Sequence, residues 1–234
     1  MNTHEDFVTP KLYKRAIALL VDFIVCINFF AFFQILLNPI LEKAFNYQEA
    51  LIQYQDKLVE HGLGFYSFDE DTQKEVYVQF EIGEEKDMLT KEEYEDAKKS
   101  FESDDIAMKI ANKVNTISFV GTAIELLMSI IPNYLLFPLI FKNGQTLGKK
   151  LMKIAIVDKN SYRIKFRNLF IRNIVGLYMF DILVSYLLIF LINMPVILIV
   201  SLITALFTKN KRTIHDLIAN TYVIDEDMSI IYVD

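Results

Sequence analysis

The stretch RAIALLVDFIVCINFFAFFQILLNPIL, residues 15–41, decides the fold. It is long enough to cross a bilayer, because about 20 apolar residues span the hydrocarbon core. Asp22 lies inside the run, where a charged side chain costs about 2.5–3.5 kcal/mol on insertion scales. Arg15 precedes Asp22 by seven positions, which is about two helical turns. We therefore predict a first membrane helix with both side chains on one face, Arg15 at the inner surface and Asp22 about 10 Å deeper.

The composition of the whole chain agrees with a membrane protein. The chain has 234 residues, of which 53% are hydrophobic, whereas soluble domains average about 45–50% apolar residues. The first apolar run is longer than the 7–15 apolar residues of a signal peptide and lacks a small-residue cleavage site, so we predict that it is retained. The single cysteine, Cys26, has no partner for a disulfide within the chain.

Three further apolar runs follow. They cover 114–141, with Glu125 near the middle, 169–192, with Asp181 in the middle, and 196–208. The last run has only 13 residues, about 20 Å as a helix, so it needs flanking residues to complete a crossing. Asn193-Met194-Pro195 separates the last two runs. We predict an all-α membrane protein with four transmembrane helices.

A polar insert, residues 42–113, separates the first two apolar runs. It carries nineteen Asp or Glu and nine Lys or Arg residues. Local patterns predict a helix over 41–61, a hairpin that pairs 65–68 with 76–82, and a helix that opens at the capping box 90–93. The insert is therefore predicted to be a small, acidic α+β domain.

The distribution of basic residues predicts the topology. Residues 142–172 contain nine Lys or Arg and one acid, and basic residues also flank the outer ends of the first and last runs. The positive-inside rule then places both termini and the 142–168 loop in the cytoplasm, and the insert outside. We expect a multi-pass protein of the cell membrane whose basic residues contact anionic headgroups on the cytoplasmic side. The predicted segments are 1–41, 42–113, 114–208 and 209–234.

The sequence argues against enzymes, metal centres and nucleic-acid binding. The histidines are His4, His61 and His215, and no His-x-x-x-His or Cys-x-x-Cys spacing occurs. Adjacent side chains point apart on a helix, so His215-Asp216 is interpreted as a surface or cap feature. Residues 144–150 depart from a phosphate loop in spacing, and 151–157 is interpreted as a strand or a segment on the membrane surface. We predict no enzymatic activity, cofactor, metal or nucleic-acid partner.

Three stretches in order resemble the RDD family of bacterial membrane proteins. They are Arg15 with Asp22, the loop Gly144-Gln145-Thr146-Leu147-Gly148-Lys149, and Arg212-Thr213-Ile214-His215-Asp216-Leu217. The resemblance implies that Arg15 and Asp22 are the Arg and the first Asp of the family name. It implies Asp216 as the second, with Asp181 as the alternative. It also implies a role in transport, since some members are similar to cation/proton antiporters, or a role beside membrane proteases and stress-response systems.

The intramembrane carboxylates lead to two functional hypotheses. Asp22, Glu125 and Asp181 are predicted at membrane depth on three helices, where acids commonly form proton or cation paths. Alternatively they pair with Arg15 or Arg172 and fix the helix register. Four helices are few for a monomeric transporter, so transport predicts a homo-oligomer. The competing hypothesis is an accessory protein that docks a protein partner through residues 42–113.

Overall fold

The computed structural model of the chain describes residues 8–83, 88–141, 143–192, 196–208 and 210–233. The predicted break at 193–195 and the histidine His4 lie outside these residues. The fold is mostly helical and divides into two compact units. One consists of residues 1–34 and 123–234, and the other of residues 35–122.

Three helical segments are long and apolar enough to cross a membrane, and they are Leu12–Ala44, Asp105–Phe141 and Phe166–Ile189. The first is helix α1. The fourth predicted crossing corresponds to helix α9, Val196–Phe207, which has 12 residues. This is about 18 Å of helix, less than the hydrocarbon core of about 30 Å. Within the described residues, the fold therefore contains three candidate spans and one shorter apolar helix.

The second and third spans change their helical form along their length. The second consists of α4 (Asp105–Ile131), a π-helical turn π1 (Pro132–Leu136) and α5 (Phe137–Phe141). Pro132 has no N–H group, so the α-helical bonding pattern cannot continue through it. The third consists of α7 (Phe166–Phe170), a π-helix π2 (Ile171–Leu183) and α8 (Val184–Ile192).

A glycine allows a short helix, α10 (Ile214–Ile218), to pack against π2. A Cβ atom at Gly176 would lie 2.7 Å from the Cβ of His215 and 2.9 Å from its Cα. Such distances are too short for van der Waals contact. Because residue 176 has no side chain, α10 can lie close to π2.

A two-stranded sheet lies in the first unit, which consists of residues 1–34 and 123–234. The prediction of an all-α fold outside the insert is therefore wrong. Strand β3 (Ile154–Asp158) pairs antiparallel with β4 (Thr221–Asp225), with Ile154 opposite Asp225 and Asp158 opposite Thr221. Of the two interpretations of residues 151–157, the structure shows the strand. Its β-branched side chains favour a pleated, buried surface, and Ile154, Ile156 and Val157 are at most 1% exposed.

The second unit contains most of the acidic insert. Helix α2 (Tyr47–Glu60) is followed by β1 (Gly64–Asp69), β2 (Lys74–Gln79) and helix α3 (Lys91–Ser103). The strands form the predicted antiparallel hairpin, and Thr90 and Glu93 form the predicted capping box.

The continuous helix predicted over 41–61 is wrong. Helix α1 ends at Ala44, and Asn46 adopts a left-handed backbone conformation with φ of 50° before α2 begins. Asparagine tolerates that conformation better than most residues. The core of the second unit is built from α2, α3, the first turn of α4 and the loop between α2 and β1. It contains Leu58, Leu63, Phe101 and Ala107.

Candidate functional site

The first unit encloses a cavity of about 310 Å³. Its apolar wall comes mainly from α1, π2, α9 and the β-sheet, which supply side chains such as Leu12, Leu177 and Leu202. Eight further lining residues are polar or ionisable, and they are Arg15, Asp22, Tyr134, Lys149, Arg172, Thr213, His215 and Asp216. Arg15, Asp22 and Asp216, the three residues implied by the family resemblance, thus line the same cavity.

Asp216 is held between two arginines at the start of α10. Its Oδ1 accepts hydrogen bonds from Arg172 Nε at 2.8 Å and NH2 at 2.7 Å. Arg15 NH2 lies 3.9 Å from Oδ2, which also accepts from Thr213 N at 3.1 Å and Thr213 Oγ1 at 2.7 Å. Burial acts to raise the pKa of Asp216, but the Arg172 charge and the Thr213 bonds outweigh it and hold that pKa well below its usual range. Asp216 is therefore a carboxylate that caps its own helix.

Asp22 has a different set of partners. It accepts hydrogen bonds from Thr146 Oγ1 at 2.5 Å, from Gly148 N at 2.8 Å and from Asn133 Nδ2 at 3.0 Å. Lys149 Nζ lies 3.5 Å from Asp22 Oδ2. The carboxylate is 1% exposed, so these partners replace water around it.

The loop motif at residues 144–149 builds the Asp22 site. Thr146 caps helix α6 (Leu147–Leu151) by accepting from Lys149 N, while its hydroxyl proton goes to Asp22. A Cβ at Gly148 would overlap the carbonyl oxygen of Ala18, so only glycine allows its N–H to reach Asp22. Gln145 donates to the Ile154 carbonyl at 2.9 Å, and Gly144 makes the preceding turn with φ of +63°. The motif is therefore a carboxylate-binding turn.

Lys149 is the cation of this turn. Its side chain is 13% exposed, and its Nζ lies 5.4 Å from the centre of the Tyr134 ring. Burial lowers the pKa of Lys149, and the nearby Asp22 opposes that shift without cancelling it. A buried amine with a lowered pKa can release its proton more readily than a surface lysine.

Arg15 and Asp22 share the cavity wall, as their spacing on one helix face indicates. Their contacts nevertheless differ from a direct pair. In the described part of the chain, Arg15 donates to the Lys211 carbonyl and approaches Asp216, whereas Asp22 is held by α6 and Asn133. Arg15 thus faces Asp216 and not Asp22.

Asp181 is not a partner of Asp22 or Asp216, but it contacts His215, the residue next to Asp216. It lies on π2, is 1% exposed, and its Oδ2 lies 2.6 Å from His215 Nδ1 and 3.1 Å from Ser201 Oγ. Glu125 lies on α4 and is 3% exposed. Among the described residues, Asp22 lines the cavity, whereas Glu125 and Asp181 do not belong to its lining. The three carboxylates of the predicted path therefore do not share this cavity.

The sequence predicted a surface or cap feature at His215-Asp216, and the structure shows the cap, since Asp216 and Thr213 form a capping box. His215 does not lie on the surface. Its side chain is 14% exposed, and both ring nitrogens have partners, Asp181 and Thr213. Sequence reasoning missed Asn133 and Ser201, and it named Thr213 only within the family motif. A polar residue directly after Pro132 in an apolar run was the one local indication of Asn133.

The RDD family model matches residues 9–220. The chain is 36% identical over 83 residues to the uncharacterized protein YckC of Bacillus subtilis (strain 168). That alignment covers 36% of this chain and 48% of YckC, so the chain spans about half the length of this curated relative. No solved structure matches.

Proposed function

The chain belongs to the RDD family, and on that premise we propose that it is a multi-pass protein of the cell membrane that exchanges a monovalent cation for a proton. The cavity that contains Arg15, Asp22 and Asp216 is the proposed transport site. One observation carries this proposal. A buried lysine with a lowered pKa, Lys149, stands 3.5 Å from a buried carboxylate, Asp22.

The exchange follows from competition for Asp22. While Lys149 carries its proton, its charge balances the carboxylate. When the proton leaves Nζ, Asp22 keeps its negative charge in a buried site, where an unpaired charge is costly. A cation such as Na⁺ or K⁺ then replaces the lost charge, and reprotonation of Lys149 expels it. One proton and one cation thus move in opposite directions.

The pH dependence of this exchange has a definite sign. A lowered pKa means that Lys149 is protonated below that pKa and neutral above it. The cation is therefore bound more tightly as the pH rises through the lowered pKa and is released as the pH falls. A surface lysine, with an unshifted pKa of about 10.4, would give this response only at a higher pH.

The proposed topology has four crossings, with α9 as the fourth. The described residues Lys211 and Arg212 follow α9 and can extend their charged ends to the interface, which lengthens a short crossing. Both termini and the 142–168 loop are then cytoplasmic and face anionic headgroups, and the acidic insert is outside. A homo-oligomer supplies the extra helices that a transport pathway needs.

Flux measurements in proteoliposomes test the proposal. Wild-type protein should move Na⁺ or K⁺ against an imposed pH gradient, and Asp22→Asn should abolish this flux. Lys149→Gln should bind a cation without pH dependence, because the competing charge is gone. Lys150→Gln is the matched control, since Lys150 is exposed and should leave flux unchanged. Absence of flux in the wild type, or full flux in Asp22→Asn, contradicts the proposal.

A second role is favoured by the surface of the insert. The β1–β2 hairpin exposes Phe68 at 63% and Val76 at 43% within an acidic segment. Exposed apolar residues rimmed by charge are common at protein interaction sites. An accessory protein would retain a co-purifying partner only when residues 42–113 are present, and it would show no flux.

A further inference from the structure

A row of hydrogen bonds connects Asp181 in π2 to Asp216 at the cavity. Asp181 Oδ2 lies 2.6 Å from His215 Nδ1. The other ring nitrogen, Nε2, lies 2.9 Å from Thr213 Oγ1, and this hydroxyl lies 2.7 Å from Asp216 Oδ2. Two carboxylates are thus joined through one imidazole and one hydroxyl.

The direction of each bond follows from counting protons. Asp216 receives three bonds from Thr213 and Arg172 at 2.7–2.8 Å, so it is ionised and can only accept. The single hydroxyl proton of Thr213 therefore goes to Asp216. Thr213 Oγ1 must then accept from His215, which places a proton on Nε2.

The contact between His215 and Asp181 now requires another proton. A neutral imidazole with its proton on Nε2 has only a lone pair on Nδ1. That lone pair cannot face a carboxylate oxygen at 2.6 Å without strong repulsion. A proton must therefore lie between Nδ1 and Oδ2, either on Asp181 as a carboxylic acid or on His215 as an imidazolium.

The surroundings favour the neutral acid. Asp181 Oδ1 is buried and has no hydrogen-bond partner among the described residues, which costs less for the carbonyl oxygen of an acid than for a carboxylate. Burial and the nearby Arg172 charge also lower the pKa of His215, although Asp181 acts to raise it. A neutral imidazole beside a protonated Asp181 satisfies both observations.

We propose that Asp181 and His215 form a proton-binding pair that holds two protons, one between Oδ2 and Nδ1 and one on Nε2, and that releases one of them. On release, the Nε2 proton leaves the pair and the shared proton moves onto Nδ1. Asp181 is then a carboxylate that accepts from Nδ1, and Nε2 becomes an acceptor. The Thr213 hydroxyl turns from Asp216 to Nε2, so proton release removes one hydrogen bond from Asp216.

The site deepens the proposed exchange, since it links proton occupancy to Asp216 on the cavity wall, and its role in transport rests on that proposed function. The charged groups around His215 come from several elements. Arg172 and Asp181 belong to π2, Asp216 to α10 and Arg15 to α1, and Lys149 and Asp22 also line the cavity. Ser201 of α9 donates to Asp181 and holds it in place.

Infrared difference spectra of the full-length protein in detergent test the site as the pH is changed. We expect a carboxylic-acid C=O band that disappears as the pH rises and is missing in Asp181→Asn. Glu125→Gln is the matched control, because it removes another buried carboxyl group and should keep this band. Thr213→Val should move the loss of the band to lower pH, because Nε2 loses its acceptor, whereas Thr213→Ser should not.

Nitrogen NMR of histidine provides a readout that needs no change at Asp181. A His4→Gln, His61→Gln double variant leaves His215 as the only histidine. A proton on Nε2 at neutral pH that moves to Nδ1 at higher pH supports the site, and so does a ring protonated on both nitrogens. A neutral ring with its proton on Nδ1 at neutral pH, without an Asp181-dependent band, overturns it. Since neither measurement requires flux, the site and the proposed exchange can fail separately.

Discussion

Glycine at position 148 restricts the packing of α6 against α1 beside Asp22. Its N–H donates to Asp22 at 2.8 Å, and an added Cβ would overlap the backbone carbonyl of Ala18. Backbone atoms cannot move aside as the end of a long side chain can. The close approach of α6 to α1, and with it the Asp22 site, therefore depends on this glycine.

Gly148→Ala should lower the melting temperature of the detergent-solubilised protein, with a cost of about 1–3 kcal/mol as for other overpacked sites. Gly121→Ala is the matched control. Its Cβ would meet only Leu41 Cδ1 at 3.9 Å, and alanine favours a helix over glycine by about 0.5–1 kcal/mol. Equal melting temperatures for the two variants would contradict the close approach at Gly148.

The π-helix π2 explains why the sequence did not place Arg172 and Asp181, which it had both indicated, on one face of a helix. On an α-helix, Arg172 and Asp181 are nine positions apart and face opposite sides, at about 100° per residue. A π-helix has i to i+5 bonds and so more residues per turn, and nine positions make roughly two turns. Both side chains then face α10, where Arg172 contacts Asp216 and Asp181 contacts His215.

The two β-sheets differ in how far apart their paired strands lie in the sequence, and only the local pairing was predictable. The β1–β2 hairpin was predictable because alternating residues and a turn lie within one short stretch. The pairing of β3 with β4 joins Ile154 to Asp225, and no local pattern indicates so distant a partner. The family resemblance implied Arg15, Asp22 and Asp216, with Asp181 as the alternative to Asp216. The sequence alone did not show that Arg15 approaches Asp216 and not Asp22.

Helix α6 depends on Thr146 for both its start and its position. The Thr146 side chain accepts from Lys149 N and donates to Asp22 at 2.5 Å. Thr146→Val keeps the shape but loses both bonds, so it should destabilise the protein by at least the 0.5–2 kcal/mol of a lost helix cap. Thr146→Ser retains the hydroxyl and should melt near the wild type. Similar losses in both variants would show that the methyl group, and not the hydroxyl, matters.

At the scale of the whole molecule, the proposed topology can be tested by chemical labelling. In a Cys26→Ser background, Asp71→Cys should react with a membrane-impermeant thiol reagent on intact cells, and Lys159→Cys should not. Lys159 is exposed in the 142–168 loop, so a cysteine at this position is accessible to the reagent from the side that the loop faces. Lysed cells provide the control, because both cysteines should then react. Equal labelling of both on intact cells would contradict four crossings with the insert outside.

The pairing of Arg15 with Asp216 also sets an order of events during synthesis. The two residues are about 200 positions apart, and ribosomes add roughly 5–20 residues per second, so Arg15 emerges some 10–40 s before its carboxylate exists. Arg172 is also synthesised before Asp216, but the interval is shorter. During this interval the early helices carry uncompensated arginines, which lipid phosphates or a chaperone of the insertion machinery must accommodate. A nascent chain that stalls before residue 216 therefore keeps Arg15 and Arg172 without the Asp216 carboxylate.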